Sequence, residues 1–197
     1  MKYDAVLFDL DGTVLDTVDD IASALNRALK SHGFAPVGRE QTRAALGNGT
    51  RRLVEQALPE DCPEKTKEAV IAQYRDIYEA NCHKLTRPYA GMVELLRELK
   101  EAKVKTAIVS NKPDSMVQIL ERVYYPGVPD LVMGEQAGLA RKPAPDMIAA
   151  AQKALGVEAK RCVYVGDSEV DIQTARGASL ECISVSWGFR SREQLVE

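Results

Sequence analysis

Residues 5–13 read AVLFDLDGT, and this stretch decides the fold that we predict for the chain. The four apolar residues 5–8 predict a short buried strand, and the aspartates and glycine after them predict a tight turn at its carboxyl end. Similar apolar runs occur at residues 105–109, 131–133, 162–165 and 182–185, with helical patterns between them. Alternating strands and helices are typical of a parallel sheet flanked by helices, so the predicted fold class is α/β.

Residues 16–85 interrupt this alternation. They contain helical stripes of apolar residues, such as Ile21, Leu25 and Leu29, and show no strand pattern. We therefore predict a Rossmann-like core made of residues 1–15 and 86–197. The same reasoning predicts a small all-helical cap, residues 16–85, inserted after the first strand.

Composition limits the classes of function. The chain has 197 residues and a net charge of -3, which does not favour nucleic acid or an acidic membrane surface as a partner. No window reaches the roughly 18 apolar residues of a membrane span, and the strand pattern begins too early for a targeting segment before it. The four cysteines share no C-x-x-C spacing and predict reduced thiols in a cytoplasmic protein. The expected oligomeric state is a monomer or a homodimer.

Polar residues follow several of the predicted strands. In open parallel sheets, ligands bind at the carboxyl ends of the strands. The residues expected at that edge are Asp9, Asp11, Gly12, Thr13, Ser110, Asn111, Lys142, Asp167 and Asp171. These residues lie in four segments of the sequence, 9–13, 110–112, 141–143 and 166–171. Taken alone, each segment also has a structural interpretation as a turn, a helix cap or a solvated lysine. None of those interpretations predicts that all four segments converge on one edge.

In this order, the four segments resemble the motifs of the haloacid dehalogenase superfamily, in its phosphatase branch and close to phosphoglycolate phosphatases. The resemblance covers essentially the whole chain. It implies that Asp9 is the nucleophile, which attacks phosphorus and forms an aspartyl-phosphate. It also implies that Asp11 protonates the leaving alkoxide and then activates water. An acid at the second position favours phosphoryl transfer over carbon–halogen cleavage.

The resemblance implies a Mg2+ cofactor. Four aspartates would repel a phosphate dianion, and oxygen ligands without a nearby histidine suit this hard cation. By analogy with the family, Asp9 and Asp167 bind it through their side chains and Asp11 through its backbone carbonyl. Asp171 is expected in the outer shell.

The phosphate site is implied in the same way. Ser110 and the backbone of Asn111 are expected to contact the phosphoryl oxygens, and Lys142 to neutralise charge on the nucleophile and the phosphoryl group. Gly12 would let the backbone turn tightly beneath the phosphate, beside Thr13.

The segment Gly47-Asn48-Gly49-Thr50-Arg51-Arg52 resembles the cap loop of phosphoglycolate-phosphatase-like members. Gly47, Asn48, Gly49 and Arg51 are candidate substrate contacts, with an arginine facing a substrate carboxylate. The alternative is a helix capped by Thr50 with two solvated arginines. The expected partner is a small phosphorylated metabolite. Pyrophosphatase, sugar-phosphate phosphatase and phosphomutase remain alternatives, and a non-catalytic binding or regulatory protein is a more distant one.

Overall fold

The computed structural model describes residues 2–196, which form two compact units. One unit, the core unit, comprises the residues up to Asp16 and those from Pro88 onward. The other, the helical unit, is Thr17–Arg87. The cap boundaries predicted from the sequence, 16 and 85, lie one and two residues before these limits.

The core unit contains a parallel sheet of five strands in the order β5-β4-β1-β6-β7. The α/β fold with a parallel sheet is therefore confirmed. The strands are β1 (Ala5–Phe8), β4 (Lys105–Pro113), β5 (Leu131–Glu135), β6 (Cys162–Gly166) and β7 (Glu181–Ser184). The two-residue strands β2 (Leu15–Asp16) and β3 (Arg87–Pro88) belong to no part of this sheet.

Helices follow the strands of the core unit. They are α5 (Met92–Glu101), α6 (Asp114–Tyr124), α7 (Asp146–Leu155), α8 (Glu169–Gly177) and α9 (Arg192–Val196). One face of the sheet, with Leu7 and Val109, packs against Met147 and Ile148 of α7. Side chains alternate along a strand, so Phe8 points to the opposite face, where it is also buried. Both faces of the sheet are therefore covered, as expected for parallel strands.

Strand β4 extends four residues beyond the predicted 105–109. From Val109 to Pro113 it advances four residues, while its neighbour β5 advances only two, from Met133 to Glu135. The extra residues form a bulge, and bulges redirect side chains away from the regular ladder. Residues 110–112 thus leave the sheet at its carboxyl edge.

The helical unit contains α1 (Val18–Ser31), α2 (Arg39–Ala45), α3 (Gly49–Ala57) and α4 (Glu64–Glu79). Helix α1 packs on α4, where the rings of Tyr74 and Tyr78 stack 5.6 Å apart. The apolar residues of α1 that form its predicted stripe are buried. Within residues 2–196, no helix has both the length and the apolar composition to cross a bilayer.

Candidate active site

The polar residues predicted for the carboxyl edge of the sheet do lie together in the core unit. Asp9 follows β1, residues 110–112 occupy the bulge of β4, and Asp167 follows β6. Asp9, Ser110, Lys142, Asp167 and Asp171 are all buried. This convergence follows from the parallel sheet, because all its strands end at the same edge.

Lys142 lies at the centre of the buried network. Its Nζ donates to Asp9 Oδ1 at 2.7 Å, to Asp171 Oδ1 at 2.8 Å and to the Tyr164 hydroxyl at 2.9 Å. The same hydroxyl donates to Asp171 Oδ1 at 3.1 Å. All three protons of the ammonium therefore have an acceptor, which a buried cation requires. Tyr164 belongs to β6, and the sequence analysis treated it only as a strand residue.

The backbone of Lys142 is held by Asn111. The Asn111 side-chain amide donates to the carbonyl of Lys142 at 2.8 Å and accepts from its N–H at 2.9 Å. This pair of bonds ties the bulge of β4 to the segment that carries the lysine. Asn111 was predicted to act through its backbone, and its side chain has this second, structural use.

The acidic residues of the network carry more negative charge than Lys142 offsets. Burial raises the pKa of the Asp9 carboxyl well above its usual value; Lys142 opposes this, while Asp171 and Asp167 add to it. Burial, with Asp171, raises the pKa of Asp167 to about 7. Burial alone would lower the pKa of Lys142, but Asp171 and Asp9 raise it well above its usual value, so the ammonium stays charged.

The donor set fits a hard divalent cation. One oxygen from each of Asp9, Asp167 and Asp171 lies within 4.8 Å of the others. These are oxygen ligands only, and a cation among them would offset the charge that raises their pKa values. The three carboxylates differ in how many hydrogen bonds already occupy them.

Asp171 is the most heavily bonded of the three. Its Oδ1 accepts from Lys142 and Tyr164. Its Oδ2 accepts from the N–H groups of Asp167 and Ser168 and from the Ser168 hydroxyl, the last at 2.6 Å. These bonds favour a supporting role for Asp171 over direct coordination.

Gly12 lies directly against Asp167. Its φ is +89°, a left-handed conformation that glycine adopts without strain. A Cβ at this position would lie 2.3 Å from Asp167 Oδ2, so the close approach also excludes any side chain. The neighbouring Thr13 is fully buried, and its hydroxyl donates to Asp167 Oδ1 at 3.2 Å. The structure thus places Thr13 beside the predicted metal ligand.

A segment near residue 188 also holds Asp167, which the sequence did not predict. The N–H of Phe189 donates to Asp167 Oδ2 at 2.6 Å, and the indole N–H of Trp187 donates to the carbonyl of Thr13 at 3.1 Å. Between them, Gly188 packs so closely that a Cβ would lie 2.3 Å from the Cβ of Asp167. A Trp-Gly-Phe sequence carries no chemistry of its own, so no motif indicated this contact.

The predicted substrate loop belongs to the helical unit, where Gly47 and Asn48 precede α3 and Gly49 begins it. Arg51, in α3, donates to Glu64 at 2.8 Å, to Glu68 and to Glu55. These hydrogen bonds and the Glu68 charge raise the pKa of Arg51. Its guanidinium is therefore engaged within the helical unit.

Comparisons with known proteins agree with the motifs. The sequence profile of the family described as haloacid dehalogenase-like hydrolase matches residues 6–185. Phosphoglycolate phosphatase 1 of Pseudomonas aeruginosa is 33% identical, over 98% of this chain and 72% of that protein. N-acetylmuramic acid 6-phosphate phosphatase of the same organism is 32% identical, over 96% of this chain and 84% of that protein.

A solved structure shows the same fold. The crystal structure of a candidate phosphoglycolate phosphatase from Lactobacillus delbrueckii subsp. bulgaricus superposes with a TM-score of 0.94 at 38% sequence identity. The match covers 100% of this chain and 91% of that one. The shared architecture therefore extends over both units of the chain.

Proposed function

The chain belongs to the haloacid dehalogenase-like hydrolase family, and from this premise we propose that it is a magnesium-dependent phosphatase of small phosphate monoesters, with Asp9 as its nucleophile. It is a phosphoric monoester hydrolase, as its relatives named phosphoglycolate phosphatase indicate. The geometry supports the roles that we propose for individual side chains.

One observation carries the proposal. Asp9 Oδ1 lies 2.7 Å from the ammonium of Lys142, in a buried cluster that also contains Asp167 and Asp171. A carboxylate paired with a fixed cation is oriented for attack, and the cation offsets charge as the phosphoryl group arrives.

The proposed reaction has two steps. In the first, the Asp9 carboxylate attacks phosphorus while the ester P–O bond breaks, and Asp11 gives its proton to the leaving oxygen. In the second, Asp11 takes a proton from water, which hydrolyses the aspartyl-phosphate and releases phosphate. The second step returns Asp11 to its protonated form, so the proton cycle closes before the next substrate binds.

Three groups are proposed to hold Mg2+: the side chains of Asp9 and Asp167 and the backbone carbonyl of Asp11. When bound, the ion supplies positive charge against the phosphate dianion. Phe189, Thr13 and Gly12 contribute by fixing the orientation of Asp167.

The phosphoryl oxygens are proposed to bind Ser110, the backbone N–H of Asn111 and Lys142, with Gly12 beneath them. Ser110 and Lys142 are both buried, and a hydrogen bond in a buried setting is stronger than in bulk solvent. Their burial supports binding of a small phosphate ester rather than of a macromolecule.

The preferred substrate is proposed to be a small phosphorylated carboxylic acid, with phosphoglycolate as the first candidate. Two relatives act, by their names, on phosphoglycolate and on N-acetylmuramic acid 6-phosphate, and both compounds carry a carboxylate. We propose that the helical unit acts as a cap and that Gly47, Asn48, Gly49 and Arg51 read this carboxylate. We also propose that the protein acts in the cytoplasm, as a monomer or a homodimer.

A phosphatase screen tests this function. With Mg2+ present, the protein should release phosphate from phosphoglycolate, N-acetylmuramic acid 6-phosphate, hexose phosphates and pyrophosphate at different rates, fastest from a carboxylate-bearing ester. Asp9→Asn should reduce every rate by at least about 10,000-fold, because the nucleophile is lost.

The matched control is Asp4→Asn. Asp4 lies at the other end of β1, is exposed and pairs with Arg161, so its loss should leave the rates unchanged. Residual turnover in Asp9→Asn comparable to that of the wild type would refute the mechanism. If phosphate is released faster from pyrophosphate or from hexose phosphates than from phosphoglycolate, the proposed substrate class is wrong. Transfer of phosphate between two positions of a sugar would indicate a mutase.

A further inference from the structure

Two buried lysines face the two aspartates of the segment Asp9-Leu10-Asp11. Lys142 pairs with Asp9 at 2.7 Å, and Lys112 pairs with Asp11 Oδ1 at 3.0 Å. The side chain of Lys112 is only 4% exposed, almost as buried as that of Lys142 at 3%. A buried ammonium loses its hydration and needs a charged partner in return. For Lys112, that partner is the proposed general acid and base.

The backbone of Lys112 is fixed where it leaves β4. Its N–H donates to the hydroxyl of Ser110 at 3.2 Å. On the other side, Gly134 of β5 approaches so closely that a Cβ there would lie 2.6 Å from the Lys112 carbonyl oxygen. The bulge therefore presents the lysine side chain from a packed, rigid segment.

Asp11 itself is the more exposed partner of this ion pair. Its side chain is 19% exposed, compared with 1% for Asp171, and it follows β1 in a turn closed by the bond from the Gly12 N–H to the Leu15 carbonyl. A carboxyl group at the edge of solvent can occupy several rotamers. The ion pair with Lys112 selects one of them.

We propose that Lys112 is a positioning residue that holds the carboxyl group of Asp11 in line with the leaving oxygen of the substrate. This inference rests on the proposed function, in which Asp11 protonates that oxygen. In the step concerned, the bond from Asp9 to phosphorus forms, the ester P–O bond breaks, and the proton of Asp11 moves to the leaving oxygen. Lys112 keeps its own proton and stays beside the carboxylate that results.

The proposal predicts a dependence on the leaving group. An alkyl ester such as phosphoglycolate leaves as a strongly basic alkoxide and needs the proton of Asp11. The p-nitrophenolate of p-nitrophenyl phosphate leaves without one. A group that only positions Asp11 should therefore matter for the alkyl ester and hardly for the aryl ester, whereas a group that binds the phosphate should matter equally for both.

The test compares kcat/KM for these two esters in Lys112→Met, Lys112→Arg and the wild type. We expect Lys112→Met to lower kcat/KM for phosphoglycolate by about 10- to 100-fold, part of the 100- to 10,000-fold that general acids contribute. The value for p-nitrophenyl phosphate should fall less than about threefold. Lys112→Arg, which keeps the charge, should recover most of the alkyl-ester rate.

Two further variants complete the design. Lys105→Met removes an exposed lysine from the beginning of the same strand and should change neither value. Asp11→Asn should show the same selective loss of kcat/KM on the alkyl ester, because kcat/KM reports the first step. Its kcat should fall for both esters, since Asp11 also activates water in the second step. In kcat/KM, the double variant Lys112→Met/Asp11→Asn should be little worse than Asp11→Asn alone. A retained kcat/KM for p-nitrophenyl phosphate in the Lys112 variants also shows that they are folded.

The outcomes separate this inference from the proposed function. An equal loss on both esters in Lys112→Met, or no loss on either, overturns the positioning role while leaving the phosphatase intact. Absence of magnesium-dependent hydrolysis in the wild-type protein would instead overturn the proposed function itself.

Discussion

The core unit and the helical unit use buried charge in opposite ways. In the core unit, buried aspartates and lysines form a cluster at one edge of the sheet. Within it, the ammonium group of Lys142 contacts two carboxylates. In the described part of the helical unit, Asp20 is the one charged side chain that is buried. It accepts from the N–H groups of Leu85 and Thr86, at 2.9 and 2.8 Å, and from the Thr86 hydroxyl.

This difference separates function from structure. Asp20 satisfies backbone donors where the chain is about to leave the helical unit, so its bonds stabilise one local conformation. The core cluster does not balance its own charge, since burial and neighbouring carboxylates raise the pKa values of Asp9 and Asp167. Such an imbalance costs stability and is characteristic of sites that bind a cation or substrate. Variants in the core unit and in the helical unit can test this difference.

Among the variants that test this comparison, Gly188→Ala in the core unit should have the largest effect. The added Cβ would lie 2.3 Å from the Cβ of Asp167 and 2.5 Å from the carbonyl oxygen of Gly12, both too close for any real contact. Asp167 must then move, and displacement of an active-site group by about 1 Å can cost about 100-fold in rate. We expect kcat/KM to fall by at least about that factor and calorimetric titration to show weaker Mg2+ binding.

Gly177→Ala is the matched control for this variant. Gly177 lies in α8 of the same unit, and its nearest atom to an added Cβ is 3.7 Å away, an ordinary contact. It should keep the activity and Mg2+ affinity of the wild type. If Gly188→Ala also binds Mg2+ like the wild type, the segment after β7 does not position Asp167.

The next effect belongs to the helical unit and changes stability. Asp20→Ala removes the acceptor of the buried Thr86 N–H and of the partly buried Leu85 N–H, while the Thr86 hydroxyl can still donate to the Cys82 carbonyl. Each buried donor left without an acceptor costs about 1–3 kcal/mol, so we expect the free energy of unfolding to fall by about 2–4 kcal/mol. Urea denaturation followed by circular dichroism measures this change.

Asp19→Ala provides the comparison for Asp20→Ala. Asp19 is the preceding residue in α1, half-exposed and paired with Arg39, and exposed pairs contribute little. Its loss should shift the denaturation midpoint only slightly. Equal destabilisation by the two variants would show that the buried carboxylate has no special role.

The fold could be predicted from the sequence because its signals are local. Short apolar runs bounded by polar turns located all five strands of the sheet, and residues 16–85 stood out by helical periodicity alone. The prediction ended β4 at residue 109 and missed its bulge. The bulge depends on register with β5 and on the room that Gly134 leaves, neither of which is a local property of β4.

The same distinction applies to the site. Asp9, Ser110 and Asp167 were predicted because polar residues at strand ends have recognisable chemistry, and Lys142 because it precedes a helix of the same core. Tyr164 and the Trp187–Phe189 segment were missed, since an aromatic residue in a strand or after one normally indicates packing. Their hydrogen bonds to Lys142 and Asp167 are visible only once distant segments are brought together.

The smallest effect is expected from Arg51→Met in the helical unit. The guanidinium contacts Glu55, Glu64 and Glu68, so a substrate carboxylate must share or displace these partners. The residue is also partly exposed, where solvent weakens charge pairs. We therefore expect only about a threefold rise in KM for phosphoglycolate at unchanged kcat, and no change for p-nitrophenyl phosphate, which lacks a carboxylate.

Arg75→Met tests whether this rise in KM depends on the position of the charge. Arg75 is an exposed arginine of α4 in the same unit, and its removal should leave both substrates unaffected. A rise in KM for both esters in Arg51→Met would point to a structural disturbance of α3 and α4. Unchanged kinetics with both esters would show that Arg51 pairs with its neighbouring glutamates and does not contact the substrate. Only a rise in KM that is confined to the carboxylate-bearing ester would show that Arg51, an exposed charge of the helical unit, takes part in substrate recognition. Chemistry would then depend on more than the buried charges of the core unit.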